Sequence, residues 1–128
     1  MTIENDKINE LLLEWKSRLG LNDWAIELIL DDVILENKCS GECSLNFMRK
    51  CATITIAKNM PQNLICKEIH EKTLIHELLH LKFINPNSSD VNIEEWTYDI
   101  IQHQLLEDMA KALYMAKYGI TDLQYFKN

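Results

Sequence analysis

The stretch that most constrains the fold is Thr73–Leu81, where two histidines and a glutamate interrupt an otherwise apolar run. A helix with leucine and isoleucine at nearly all its other positions is buried on almost every side. Positions i and i+4 of a helix lie one above the other, so His76 and His80 would direct their imidazoles to one point. Buried imidazoles need partners. Either a metal ion binds both, or each is a core histidine bonded to a carbonyl, with Glu77 at the surface.

The spacing of the motif His76-Glu77-Leu78-Leu79-His80 favours the metal ion. Two neutral imidazoles from adjacent helical turns suit Zn²⁺, and a carboxylate beside them can accept a proton from water activated by the metal. The sequence therefore predicts a zinc site in which His76 and His80 are ligands and Glu77 is a general base.

A catalytic zinc site needs a third protein ligand, which leaves the fourth position for water. The candidates are His103 and the carboxylates that open the last predicted helix. The apolar face of that helix is predicted to comprise Ile93, Ile100, Ile101 and Leu105. Glu94 lies on the flank of this face, whereas Glu95 follows Asn92 by three residues and suits a helix cap. We therefore predict Glu94 as the third ligand, with Glu95 in reserve.

Length and charge limit the classes of function. The 128 residues form one predicted domain (1–128), and 47% apolar and 26% charged residues are ordinary for a globular protein. A net charge of −7 argues against binding to nucleic acid or to an anionic membrane. No apolar segment reaches membrane-spanning length, and the N-terminus lacks the pattern of a signal peptide. We therefore expect a cytoplasmic protein.

The periodicity of apolar residues predicts an α+β fold. A first helix is predicted at about 6–19, and strands are predicted at 24–30, 42–48 and 51–57. A turn at Ser40–Gly41 and a tight reversal at Arg49–Lys50 flank the second strand. The helix that carries the histidines ends near Phe83 or Ile84, a polar loop follows at 85–90, and a long helix runs from Ile93 to Tyr118 and is stopped by Gly119. Val33–Leu35 either extend the first strand or begin a loop.

The cysteines at positions 39, 43, 51 and 66 permit two further interpretations. A disulfide is disfavoured in a reducing compartment. A second metal site would combine Cys39, Cys43 and Cys51 with His70, although their spacing fits no zinc pattern closely. We interpret the cysteines mainly as small, half-buried apolar residues, and His70 as a surface residue or one that supports the metal ligands.

The histidine motif followed by a glutamate on the next helix resembles the gluzincin metallopeptidases. The small size is similar to the minigluzincins and to short zincin-like proteins encoded by phages or bacteria. The resemblance implies a zincin-like domain with an N-terminal helix, a small, mostly antiparallel sheet, an active-site helix and a C-terminal glutamate helix. The chain departs from the thermolysin pattern, because the gap from His80 to Glu94 or Glu95 is shorter. Glu95 with Asp99 does reproduce the glutamate–aspartate spacing of that family.

Two functions are open, of which the resemblance implies the first. In the first, the protein is a zinc metallopeptidase that acts on a protein or peptide, with Glu77 as general base and Tyr98 or His103 as a candidate to stabilise the oxyanion. The strand 52–57, if it lies at the sheet edge, would pair with the substrate. In the second, the protein is a zinc-stabilised, catalytically silent or latent binding protein that acts on a protein partner. Two observations favour this second function: the small size of the chain, and a tail at Thr121–Asn128 that could cover a cleft.

Overall fold

The computed structural model describes residues 2–32, 40–60, 69–83 and 93–127, and for residues 93–99 and 127 it describes the backbone alone. The elements found in these residues are α1 (Asn5–Arg18), β1 (Ala25–Leu30), β2 (Gly41–Asn46), β3 (Cys51–Ile56), α2 (His70–Leu79), α3 (Ile93–Tyr118) and α4 (Asp122–Lys127). The predicted α+β class is confirmed. Cys39, Cys66, the possible extension at 33–35 and the polar loop at 85–90 lie outside the described residues.

The three strands form a mixed sheet in the order β1-β3-β2. β3 pairs with β1 in parallel and with β2 antiparallel, so the prediction of a mostly antiparallel sheet is wrong. The condition under which strand 52–57 would pair with a substrate, a place at the sheet edge, is not met, because β3 is paired on both sides. The physical reason is burial: alternate residues of β3 are fully enclosed, as suits a central strand. The edge strand that contacts α2 is β2.

One face of the sheet packs on the helices, and the other faces solvent. The burial of side chains alternates along all three strands, as their alternating sequence predicts. The largest fully buried side chains belong to α1, β3, α2 and α3: Ile8, Trp15, Ile54, Ile56, Leu74, Ile75, Leu78, Leu79 and Leu106. Helix α2 therefore lies in the centre of the core, with every one of its residues buried.

Most predicted boundaries agree with the structure to within a residue or two. Helix α3 has the predicted limits, and Gly119 follows it with φ of +62°, the left-handed conformation in which glycine ends helices. Helix α2 ends at Leu79, earlier than predicted. The His80 amide bonds to the Glu77 carbonyl, three residues back, at 3.2 Å. This tighter last turn places His80 at the end of α2 rather than within it.

Gly41 lies in β2 and not in the predicted turn. The residue opposite it across the sheet is Ile56 at the end of β3. Ser40, the preceding residue, accepts a hydrogen bond from the Ala57 amide at 2.9 Å, so the pairing continues past the strand end. A glycine inside a strand marks a point where another part of the chain approaches closely. Here the approaching element is α2.

A buried carboxylate joins α2 to its two neighbouring helices. Glu71 accepts hydrogen bonds from Trp15 Nε1 of α1 at 2.7 Å and from Lys117 Nζ of α3 at 2.6 Å. The Tyr118 hydroxyl donates to the other oxygen of Glu71. These charge-assisted bonds fix the position of α3 along α2.

The C-terminal segment contacts the second half of α3. Tyr125 of α4 is buried, and its ring centroid lies 5.9 Å from that of Tyr114. Lys111 Nζ lies 5.7 Å from the centroid of the same Tyr125 ring. Lys111 follows His103 by eight residues, about 12 Å along a helix, so α4 lies away from the histidine. In the described part of the chain, no helix is both long enough and apolar enough to cross a bilayer.

Candidate metal centre

Three histidines from α2 and α3 converge on one point. The ring centroid of His76 lies 5.1 Å from that of His80 and 4.5 Å from that of His103, and the remaining pair is 5.7 Å apart. One ligating nitrogen from each ring lies within 4.8 Å of the other two. His76 is buried, His80 is half-buried and His103 is exposed. The cluster therefore opens to solvent on the side of α3.

Among the described side chains, the structure brings His103 to the two motif histidines. Glu94 and Glu95 lie in α3, but their side chains are outside the described residues. Glu94 precedes His103 by nine residues, about 13.5 Å along the axis and half a turn around a regular helix. Glu94 as a ligand stays a prediction, and the same holds for Glu95.

The face of α3 that packs on α2 differs from the predicted one. Ile100, Ile101 and Leu105 are 41%, 61% and 52% exposed, whereas Leu106 and Ala110 are fully buried. His103, Leu106 and Ala110 recur at spacings of three and four, so they share one side of the helix. The prediction of an apolar face through Ile101 and Leu105 is wrong. This shift in helical phase carries His103 toward α2.

A carboxylate from α3 fixes the orientation of His76. Glu107 hydrogen-bonds His76 Nδ1 through one oxygen and Lys72 Nζ through the other. Burial raises the pKa of Glu107, but the hydrogen bonds from His76 and Lys72 outweigh it and hold that pKa at about 2. Because Glu107 is ionised and can only accept, Nδ1 of His76 carries the proton. Nε2 of His76 is then the free acceptor.

That Nε2 atom is buried and has no hydrogen-bond partner among the described residues. A buried nitrogen lone pair without a partner is costly in a folded protein. Carboxylate-bound imidazoles are the usual way in which proteins orient a histidine toward a metal ion. The cluster therefore has the donor set, the tautomer and the unsatisfied atom that a metal ion requires.

The other two imidazoles are held in their neutral form. Burial, together with the nearby His76 and His103, lowers the pKa of His80 to about 4. Burial and the nearby His76 also lower the pKa of His103. A neutral imidazole keeps the lone pair that coordinates a metal, so these rings are available as ligands at neutral pH.

Glu77 lies beside the cluster and is 5% exposed. Burial raises its pKa to about 7, against the lowering effect of the nearby His76. Its carboxylate faces the start of β2, because a Cβ placed on Gly41 would lie 3.4 Å from Glu77 Oε1. The alternative in which Glu77 is a surface residue is excluded. A carboxyl group with a pKa near 7 can both accept and return a proton at neutral pH.

The remaining predicted residues do not join the cluster. His70 is buried, not at the surface, and its Nε2 lies 2.8 Å from the Lys58 carbonyl oxygen. Cys43 and Cys51 are free thiols and do not belong to the one group of possible metal ligands found in the described chain. Cys43 packs against the core, as predicted for these cysteines. The side chain of Tyr98 is outside the described residues.

Sequence reasoning missed Glu107 and Lys72. Both follow from helical spacing, since Lys72 precedes His76 by four residues and Glu107 follows His103 by four. This signal becomes visible only when His103 is taken as a ligand, because Glu107 then shares its side of α3.

Replacing Glu107 with glutamine is expected to weaken zinc binding by roughly 10- to 100-fold, the usual cost of losing a partner of a metal-bound histidine. Glutamine keeps the shape but removes the charge that holds the proton on His76 Nδ1. Competition with a fluorescent zinc chelator measures the change. Asp108→Asn, at the next, exposed position of α3, is the matched control. Equal affinity in Glu107→Gln and Asp108→Asn would contradict the assigned role.

No protein-family profile matches the chain, and no curated protein or solved structure shows significant similarity to it.

Proposed function

We propose that this protein is a zinc-dependent peptidase whose metal ligands are His76, His80 and His103. The observation that carries the proposal is the buried Nε2 of His76, which has no hydrogen-bond partner in the part of the chain that the structure describes. Its ring is fixed by Glu107, and ligating nitrogens of His80 and His103 lie within 4.8 Å. Two core histidines bonded to carbonyls would not leave this atom without a partner.

The chemistry of the donors favours zinc over harder cations. Three imidazoles provide only nitrogen, whereas Mg²⁺ and Ca²⁺ prefer oxygen ligands. Three protein ligands with one open position are typical of catalytic rather than structural zinc sites. The exposed side of His103 leaves that position accessible to a substrate.

Glu77 supplies the proton transfer in the proposed reaction. When bound, zinc would lower the pKa of water at the open position and polarise the scissile carbonyl. Glu77 takes a proton from the attacking water at its carboxylate and delivers that proton to the leaving amine. The burial of Glu77 keeps its pKa near 7 in the metal-free protein. Lys72 and Glu107 keep the proton of His76 on Nδ1 throughout.

The edge strand β2 supports a peptide as the substrate. β2 pairs with β3 on one side, and in the described residues no strand pairs with its other side. An extended peptide can add to such an edge through main-chain hydrogen bonds. Because Gly41 at the start of β2 lies beside Glu77, a peptide on this edge would run past the general base.

Removal and return of the metal test the proposal. Protein stripped with a chelator and refilled is expected to bind one equivalent of zinc by elemental analysis. A ligand that binds only the folded state at 1,000 times its Kd stabilises by about 4 kcal/mol, so the thermal midpoint should rise on refilling. Digestion of a mixed peptide library, read by mass spectrometry, should show cleavage with zinc and none without it.

Two results would contradict parts of the proposal. Failure to bind zinc would remove it altogether. One bound zinc with no cleavage of any peptide would favour the alternative, a zinc-stabilised binding protein. Truncation after Gly119 distinguishes a site without activity from an active site that the tail covers. Because α4 contacts Lys111 and Tyr114, we expect this truncation to reduce stability without releasing activity.

A further inference from the structure

The closest approach between the sheet and α2 occurs at Gly41. A Cβ placed on this residue would lie 2.7 Å from Thr73 Cγ2, 3.3 Å from Glu77 Cγ and 3.4 Å from Glu77 Oε1. Contacts under 3.0 Å do not occur between real side-chain carbons without displacement. Thr73 and Glu77 are four residues apart on α2, so they stand one above the other. Position 41 therefore faces the general base directly.

The strand cannot move away to admit a side chain. Gly41 pairs with Ile56, and the neighbouring Ser40 oxygen accepts the Ala57 amide at 2.9 Å. Ile56 and Ala57 have no exposed surface, so this end of the sheet is enclosed by the core. Close-packed interiors resist displacement of whole elements. Helix α2 is equally fixed, since Leu74 and Ile75 beside Thr73 are completely buried.

The contact must therefore be relieved by side chains of α2. Thr73 is β-branched, and in a helix its χ1 angle divides between two rotamers. Its Cγ2 would lie 2.7 Å from the added carbon, so Thr73 must shift. Glu77 has three rotatable bonds and would lie 3.3 Å from the same carbon through its Cγ, so it must give way by a few tenths of an ångström as well. A glycine at position 41 leaves the carboxylate where it is.

We propose that Gly41 is a positioning residue for Glu77: the missing side chain lets β2 close on α2 and confines the carboxylate next to the histidine cluster. This inference rests on the proposed function, because it assigns Gly41 a role in the same site. Glycine weakens a strand by its backbone freedom. The close approach to Glu77 and Thr73 is the reason for its presence in β2.

The test compares three variants, each loaded with Zn²⁺ or with Co²⁺. Gly41→Ala introduces the Cβ. Gly41→Ala with Thr73→Ser removes Cγ2, the atom in closest contact, and gives the new methyl group room. Ser44→Ala, on the exposed face of the same strand, is the matched control. The visible absorption of Co²⁺ reports the surroundings of its open coordination position and does not require turnover.

Gly41→Ala is expected to bind metal as the wild-type protein does, to lower kcat at least about tenfold with KM unchanged, and to alter the Co²⁺ spectrum at fixed pH. Displacement of a catalytic group by about 1 Å costs on the order of 100-fold. The double variant should recover both kcat and the spectrum. In a Glu77→Gln background, Gly41→Ala should leave the spectrum unchanged, because the residue through which it acts is gone.

A folded Gly41→Ala protein with wild-type kcat and spectrum would overturn the inference, and so would losses that Thr73→Ser does not reverse. If Gly41→Ala alone does not fold, Thr73→Ser compared with the double variant gives the same test. Wild-type protein that holds Co²⁺ but cleaves no peptide would refute the proposed peptidase, while the spectra would still decide the role of Gly41. Wild-type protein that binds no Co²⁺ would refute both.

Discussion

Replacing His103 with alanine is expected to reduce the affinity for zinc by more than about 100-fold, since even the partners of metal-bound histidines contribute 10- to 100-fold. His103 supplies one of three nitrogens that lie within 4.8 Å of each other. Its loss leaves the two ligands of α2 and removes the link to α3. Titration against a chelator of known affinity measures the change, and circular dichroism of the metal-free protein checks that the variant folds.

The matched variant is Glu94→Ala, which tests the ligand that the sequence favoured. If His103 is the third ligand, Glu94→Ala should bind zinc as the wild-type protein does. The opposite pattern, with zinc lost in Glu94→Ala and kept in His103→Ala, would contradict the three-histidine site. Glu95→Ala extends the comparison to the reserve candidate, and Gln104→Ala, exposed beside His103, controls for a substitution at this level of α3.

Replacing Glu77 with glutamine is expected to leave zinc bound and to lower peptide hydrolysis by roughly 10²- to 10⁴-fold, the range that general-base catalysis contributes. Glutamine has nearly the same shape as glutamate but cannot take a proton from water. Elemental analysis gives the zinc content and a fluorogenic peptide gives the rate. Glu42→Gln, the same exchange at an exposed position of β2, should keep the activity. Equal rates in Glu77→Gln and wild type would refute the assigned role.

The same substitution should change how stability depends on pH in the metal-free protein. Burial raises the pKa of Glu77 to about 7 from an ordinary value of 4.5. Between these values the unfolded chain has released the proton that the folded protein still holds, so stability falls as the pH rises from 4.5 through 7. A shift of this size corresponds to about 3 kcal/mol. Glutamine does not titrate and removes the effect.

Urea unfolding at pH 5 and pH 8, with a chelator present, measures this difference. Glu77→Gln should gain stability relative to wild type by up to about 3 kcal/mol between the two pH values. His80 and His103 titrate in both proteins, so their contribution cancels in the comparison. If the difference in stability between Glu77→Gln and wild type does not change with pH, burial does not raise the pKa of Glu77. The stability that Glu77→Gln gains at pH 8 would equal the stability that the wild-type protein loses by burying an ionised carboxylate.

The helices and strands could be predicted from the sequence because the periodicity of apolar residues shows, for each element separately, which side is buried. Helix α3 was predicted with its observed limits, and the strands with nearly theirs. The placement of β3 between β1 and β2 was not, since alternating burial looks similar in a central and an edge strand that both expose one face. Only the pairing of β3 with both neighbours distinguishes them.

The sequence favoured Glu94 over His103 as the third ligand for a related reason. Helix α3 carries apolar residues around much of its circumference, and Ile101 and Leu105 suggested a face that in fact is exposed. The true inner side carries the polar residues His103 and Glu107 beside the buried Leu106 and Ala110. A sequence pattern assigns polar residues to the outside by default, so a functional cluster on the inner side of a helix shifts the predicted phase. His76, Glu77 and His80 were found because their spacing carries the chemistry independently of packing.

Because the three histidines are divided between α2 and α3, a bound ion would also affect the rate at which these helices separate. His80 and His103 are 23 residues apart in the chain, so an ion held by both closes a loop of that length as a cross-link would. Cross-links of this kind restrict the unfolded chain by about 3 kcal/mol. Separation of α3 from α2 would break or strain the bonds of an ion held by both helices. A bound ion would therefore slow this opening, while the exposed side of His103 would still let the ion exchange with solvent.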